Sequence, residues 1–150
     1  MVNLQVKRNI KLPVDKSHLL RAAQLTLDLE KIALTSELSI VIGNDALLKK
    51  LNQKYRQVNT PTDVLSFTSG EVDPETKSVY LGDVVISLPR AQVQAAEGTH
   101  PLLDELQLLV VHGILHLLGY DHLEEADKEK MQEVQNKVLN NLGVKLVNIL

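Results

Sequence analysis

The sequence predicts an α+β fold with a small mixed sheet of about four strands and about five helices, one of which is buried at the centre. Short segments in which apolar and polar residues alternate mark the strands. Longer segments with apolar residues three and four positions apart, several of them behind a capping residue, mark the helices. One helix, beginning after Pro101, is apolar on almost every face, and a helix without a polar face is expected to be buried.

The first half of the chain alternates strands and helices. The period-two pattern predicts strands at residues 2–8 and 38–42. A helix is expected between them, from an N-cap at Ser17 to about Glu30. Another helix follows the second strand with Asn44 as its N-cap. Its expected buried stripe is Leu47, Leu48, Leu51 and Tyr55.

The second half is expected to contain a hairpin followed by three helices. Residues 63–68 and 79–86 predict two antiparallel strands, and Ser69-Gly70, then Asp73-Pro74, mark the turn-rich connection between them. Ser87 then caps a helix that ends near Gly98, and the apolar helix comes next. The last helix follows an acidic run, and its expected core stripe is Met131, Val134 and Val138.

The composition is typical of a soluble cytoplasmic protein. A chain of 150 residues, 44% of them hydrophobic, suits one domain over residues 1–150. The absence of cysteine excludes disulfides, and no secretory signal or membrane span is visible, so no contact with a membrane is expected. A net charge of −3 argues against a general nucleic-acid coat protein, and 3% aromatic residues argue against a broad stacking platform. Any nucleic acid that binds must therefore be held by a confined site.

Three of the five histidines lie within eleven residues. His112 and His116 are one helical turn apart, so their imidazoles can share one metal ion. Gly119 can adopt the left-handed conformation that ends a helix, which would let His122 return to the same ion. Ordinary core histidines are the alternative, but three neutral imidazoles with an open fourth position are typical of catalytic zinc. The spacing predicts one Zn²⁺ ion, although nickel or cobalt would suit the same nitrogens.

The histidine segment resembles two families of metal enzymes. Its spacing is similar to that of the metzincin metalloproteases, but Gly113 stands where those enzymes carry the glutamate that acts as general base. The whole string at 112–122, HGILHLLGYDH, instead resembles the YbeY family of bacterial endoribonucleases that mature ribosomal RNA. Asn52, Tyr55 and Arg56, followed by PTDVLSF at 61–67, are similar to a second signature of that family. The resemblance covers roughly residues 52–140.

The resemblance implies a metal-dependent endoribonuclease specific for single strands. It implies roles in ribosomal RNA maturation and ribosome quality control, with ribosomal RNA and ribosomal subunits as partners and no DNA substrate. The family has a functional arginine near the metal, and Arg56 occupies that position. A guanidinium also matches the geometry of phosphate oxygens. Asp121, beside the third histidine, could act as general base or could orient a histidine from behind.

Two other classes of protein stay open at this point. A non-catalytic ribosome-assembly factor could use the metal only to hold the third histidine loop in place. A metallopeptidase could use Asp121 or another carboxylate in place of the absent glutamate, although Gly113 argues against it. For RNA cleavage, the attacking group could be the 2′-hydroxyl of the substrate or a water molecule.

Overall fold

The computed structural model describes residues 1–121 and 123–145, and in them four strands form one mixed sheet in the order β1-β2-β4-β3. β1 and β2 are parallel, β2 and β4 are parallel, and β3 and β4 are antiparallel, as the hairpin prediction requires. The strands are β1 (Val2–Val6), β2 (Glu37–Gly43), β3 (Val64–Val72) and β4 (Val79–Ser87).

Five helices accompany the sheet in the described part of the chain. Together with the four strands they confirm the predicted α+β class. Two of the predicted caps are present: the Asn44 side chain accepts from the Leu47 amide, and the Ser87 side chain accepts from the Arg90 amide. The helices are α1 (Lys16–Leu29), α2 (Asp45–Arg56), α3 (Leu88–Gly98), α4 (Leu102–Leu117) and α5 (Glu125–Asn141).

The central position of α4 follows from its composition and is confirmed. Every residue from position 105 to position 115 is buried, because α1, α3, α5 and the sheet all pack against this helix. Leu109 and Ile114 have no exposed surface, and each such side chain contributes about 1.5–3 kcal/mol by leaving water. The other face of the sheet carries a smaller core, formed under α2 by Leu48, Leu65 and Val85. In the described residues, no helix is both long and apolar enough to cross a bilayer.

The predicted N-cap of α1 was wrong by two residues. Asp15 is the cap, and its Oδ1 accepts from the Ser17 amide at 2.9 Å. Both side chains can cap a helix, but a carboxylate also gains from the positive end of the helix dipole. β1 likewise ends at Val6, earlier than expected, because the chain turns where the Ile10 amide donates to the Lys7 carbonyl at 3.0 Å.

The turn-rich connection between β3 and β4 was predicted too early at Ser69-Gly70, but its second predicted site, Asp73-Pro74, is confirmed. β3 continues through both residues to Val72, and Gly70, with φ of +86°, lies in a bulge between Thr68 and Glu71. A glycine that takes positive φ can mark a bulge as well as a turn. The chain reverses later, where Asp73 Oδ1 accepts from two backbone amides.

The predicted buried stripe of α2 was wrong at its last residue. Leu48 is fully buried, but Tyr55 is 58% exposed. The Tyr55 ring meets Phe67 of β3, and β3 is the edge strand, so no further strand covers it. The buried polar residue of this helix is instead Asn52, whose Nδ2 donates to the Thr60 carbonyl at 3.0 Å.

Candidate active site

Two histidine rings face each other at the end of the central helix. The Nε2 atoms of His112 and His116 are 3.1 Å apart, and the ring centroids are 4.6 Å apart with an interplanar angle of 81°. His112 is buried and His116 is half-buried. The helical spacing that predicts convergence of these two rings therefore corresponds to close contact in the structure.

Each ring is oriented through its other nitrogen. His112 Nδ1 lies 2.9 Å from Oε1 of Gln135 on α5, and His116 Nδ1 lies 2.9 Å from the backbone carbonyl oxygen of Tyr120. A carbonyl oxygen can only accept, so Nδ1 is the nitrogen that carries the proton in both rings. In the neutral rings Nε2 then keeps its lone pair, which is the usual arrangement of histidines that bind a metal.

The spacing of the two Nε2 atoms suits a shared metal ion. Two zinc-bound nitrogens at tetrahedral angles are about 3.3 Å apart, close to the 3.1 Å seen here. Across residues 1–121 and 123–145, no group of three or more His, Cys, Asp or Glu side chains is placed to hold a metal. His122, the third predicted ligand, lies outside the described residues.

Gly119 ends the helix in the predicted way. Its φ is +102°, in the left-handed region, and the reversal brings the Tyr120 carbonyl to His116. The Tyr120 hydroxyl donates at 2.6 Å to Oε1 of Glu30, the C-cap residue of α1, which ties the turn to the end of a second helix. This hydrogen bond to a carboxylate, together with burial, raises the pKa of Tyr120 to about 12. The turn is therefore held through Tyr120, whose carbonyl contacts His116 and whose hydroxyl contacts Glu30.

Asp121 continues the same turn. Its Oδ1 accepts from the Leu123 amide at 3.1 Å, a bond that spans position 122. The carboxylate is half-buried and faces the same cleft as the two histidines. Asp121 thus stabilises the local backbone with Oδ1, and within residues 1–121 and 123–145 its Oδ2 has no hydrogen-bond partner.

Arg56 reaches the site from the opposite side. It is the last residue of α2, and its Nη2 donates to the Ser66 carbonyl on β3 at 3.2 Å. The Ser66 hydroxyl in turn donates to the Gly113 carbonyl on α4 at 2.8 Å. A short chain of contacts therefore connects the guanidinium to the helical turn that carries His112.

One cleft brings these side chains together. It has a volume of about 730 Å³, and Arg56, His112, His116 and Asp121 all line it. The remaining walls come from Asn52 on α2, β3, the loop before it and the turn after α4. Every predicted site residue in the described part of the chain therefore faces the same space.

Gly113 faces the sheet and not the cleft. A Cβ atom at this position would lie 2.5 Å from Val84 Cγ1 on β4, closer than real Cβ contacts come. A side chain here would force either Val84 or the helix itself to shift. The position where metzincins carry their general base has no room for one in this fold.

Sequence reasoning missed Gln135 and Ser66. Gln135 is 1% exposed and lies on α5 between Met131 and Val138, both of which are buried as predicted. A glutamine in line with an apolar stripe was the available signal, because a buried amide needs a partner. Ser66 had no such signal, since its contact with Gly113 joins segments 47 residues apart.

A family model described as Endoribonuclease YbeY matches residues 2–143. The chain belongs to the YbeY family. The resemblance inferred from residues 52–140 is thereby confirmed, and the family match extends it almost to the first residue.

Individual YbeY proteins agree with this assignment. An Endoribonuclease YbeY of Roseiflexus sp. (strain RS-1) is 43% identical over 149 residues, 95% of this chain and 93% of that protein. The Endoribonuclease YbeY of Pelotomaculum thermopropionicum is 45% identical over 129 residues, 84% of this chain and 85% of that protein. The solution structure of TM1509 from Thermotoga maritima superposes with a TM-score of 0.64 at 26% identity, covering 95% of this chain and 89% of that one.

Proposed function

We propose that the chain is a metal-dependent endoribonuclease that cleaves single-stranded RNA, and that residues 1–150 form one hydrolase domain. Endoribonuclease is the activity named by the family description and by relatives 43% and 45% identical to this chain. The observation that supports the metal and the substrate is the shared cleft, in which two oriented imidazoles lie opposite an arginine. Ribosomal RNA in ribosomal subunits is the proposed target, with the cytoplasm as the place of action.

The proposed ligands are His112, His116 and His122, and they would hold one Zn²⁺ ion. Neutral imidazole nitrogens suit this ion, and the Nδ1 contacts of the two described histidines fix their rings in the required tautomer. When bound, the ion would act as a Lewis acid on the scissile phosphate.

Arg56 is proposed as the phosphate clamp. A guanidinium has five N–H donors, and the described contact with the Ser66 carbonyl uses a single one of them. The remaining donors can bind the phosphate oxygens that gain negative charge as the bond breaks. The contact with β3 holds the guanidinium in place, so little side-chain entropy is lost when RNA binds.

Asp121 is proposed as the proton acceptor. Its Oδ1 accepts from the Leu123 amide, which leaves Oδ2 for a proton from the attacking 2′-hydroxyl or water. The same residue holds the turn, so its two roles must be separated by substitution.

The geometry disfavours a metallopeptidase with the metzincin general base. A glutamate in that position would have to replace Gly113, and Val84 occupies the space that its side chain would need, so a metallopeptidase would have to use Asp121 or another carboxylate as its base. The assembly-factor alternative requires no catalytic arginine, so Arg56 separates it from the endoribonuclease.

The test is cleavage of a labelled single-stranded RNA by protein of known metal content. We expect Arg56→Ala to keep its melting temperature and metal content but to lose about 10²-fold or more in rate, as enzymes do when they lose a donor to the transition state. Arg21→Ala, an exposed arginine on α1, is the matched control and should cleave normally. Normal cleavage by Arg56→Ala would disprove the clamp, and a parent protein that never cleaves would favour the assembly factor.

A further inference from the structure

Two aromatic rings, the exposed Tyr55 and the half-buried Phe67, lie next in sequence to residues of the cleft wall. The rings of Tyr55 and Phe67 meet edge to face, with centroids 5.3 Å apart and an interplanar angle of 63°. Arg56 follows Tyr55 in α2 and Ser66 precedes Phe67 in β3, and both of these neighbours line the cleft. Each ring is therefore carried by the residue next to one that lines the cleft.

Packing does not account for the position of Tyr55. The ring is 58% exposed, although it lies on the helix face that includes the fully buried Leu48. The hydroxyls of Tyr80 and Tyr120 donate to protein oxygens, but within the described part of the chain the Tyr55 hydroxyl has no partner. An exposed ring supported by a second ring is a suitable surface for stacking.

The charge around this pair favours a polyanion. Helix α2 carries four basic residues and one acidic residue, a net charge of +3, in a chain whose net charge is −3. Asp45, the acidic one, is paired with Arg90 at 3.5 Å. In residues 1–121 and 123–145, no lysine of α2 lies within ion-pair distance of a carboxylate. These lysines are Lys49, Lys50 and Lys54.

We propose that Tyr55, supported by Phe67, stacks on a base of the bound single-stranded RNA, next to the phosphate held in the cleft. The inference rests on the proposed function and adds a nucleobase subsite to it. Lys54 Nζ now lies 5.1 Å from the centroid of the Tyr55 ring. Because Lys54 is exposed, an incoming base can displace its ammonium group towards an RNA phosphate. Every base has a π-face, so the subsite accepts RNA without a strong sequence preference.

A single tryptophan can report the stacking directly. The chain contains no tryptophan, so Tyr55→Trp gives one fluorophore at the subsite, and Val93→Trp gives one at an exposed position on α3. The probe is a 2′-O-methyl oligonucleotide of about 12 nucleotides, compared with an abasic oligonucleotide of the same length. We expect quenching only for Tyr55→Trp and only with the base-containing probe. Equal responses to the two probes would overturn the proposal.

Affinity and cleavage separate this inference from the proposed function. Tyr55→Ala should weaken binding of the probe about 5- to 150-fold, and Tyr55→Phe should bind as the parent does, because the ring and not the hydroxyl is required. If the parent cleaves RNA and Tyr55→Ala binds and cleaves equally well, the stacking subsite is wrong and the proposed function stands. A parent that neither binds nor cleaves RNA overturns both.

Discussion

Gln135 on α5 orients His112 on α4, although 23 residues separate them in sequence. Oε1 of the glutamine lies 2.9 Å from Nδ1 of the histidine, and both side chains are buried. The last helix therefore does more than cover the core, because it also fixes the tautomer and the ring angle of a proposed metal ligand.

Substitution of Gln135 should weaken metal binding. In Gln135→Leu, His112 Nδ1 loses its acceptor, and metal affinity should fall about 10- to 100-fold, the usual effect of losing a partner behind a ligand. Gln135→Glu keeps an acceptor for His112 Nδ1 and should bind the metal more tightly than Gln135→Leu does. Competition with a chelator measures both variants, and Glu133→Gln, exposed on the same helix, is the control. Unchanged affinity in Gln135→Leu would show that the contact only serves packing.

Local patterns predicted the elements that depend on local contacts. The strand alternation, two helix caps, the buried α4 and the facing pair of His112 and His116 all follow from residues a few positions apart. Contacts between distant segments could not be read in this way. The contact of Gln135 with His112 and that of Arg56 with Ser66 depend on how helices and strands pack.

The wrong predictions have similar physical causes. Helical periodicity correctly places Tyr55 on the sheet-facing side of α2, but it cannot tell that β3 is an edge strand, so the ring remains exposed. Gly70 signals positive φ, which serves a bulge and a turn equally well. Sequence patterns specify local conformation, whereas coverage by neighbouring elements is a property of the whole fold.

Gly113→Ala should destabilise the protein. The new Cβ would lie 2.5 Å from Val84 Cγ1, and such overpacking costs about 1–3 kcal/mol. Val84→Ala should relieve the clash, so the double variant should be more stable than the sum of the two single effects predicts. Urea unfolding of the four proteins measures this coupling. Strict additivity would mean that α4 moves away from the sheet without resistance.

Glu105 should make stability depend on pH. Burial raises its pKa above the ordinary value of 4.5, and the hydrogen bond from His100, 2.6 Å away, only partly opposes this. The folded protein thus binds this proton more tightly than the unfolded chain does. The contribution of Glu105 to stability is therefore greatest at pH values below its ordinary pKa, and it is lost as the pH rises through the raised pKa of the folded protein. Urea unfolding at several acidic pH values should give a flatter profile for Glu105→Gln. Glu97→Gln, exposed on α3, should match the parent.

Two substitutions separate the roles of Asp121. Asn keeps an oxygen that can accept from the Leu123 amide, whereas Ala removes it. If the carboxylate accepts a proton, Asp121→Asn should lose about 10²-fold in cleavage rate with unchanged metal affinity. Asp121→Ala should also bind metal more weakly, because the turn loosens. Full activity in Asp121→Asn would mean that Asp121 stabilises the turn and does not accept the proton.

The lysines of α2 should determine how salt affects RNA binding. Each lysine that neutralises one phosphate of a single strand adds about 0.7 to the slope of log affinity against log salt. Lys49→Gln, Lys50→Gln and Lys54→Gln should each lower the slope by about this amount if they contact the RNA backbone, whereas Lys128→Gln on α5 should not. Titration of the 2′-O-methyl probe at several salt concentrations gives the slopes.

The same titration tests the stacking of Tyr55. Since a base contact leaves the slope unchanged, Tyr55→Ala should weaken binding equally at all salt concentrations. A reduced slope in Tyr55→Ala would mean that the ring acts by placing Lys54 and not by stacking.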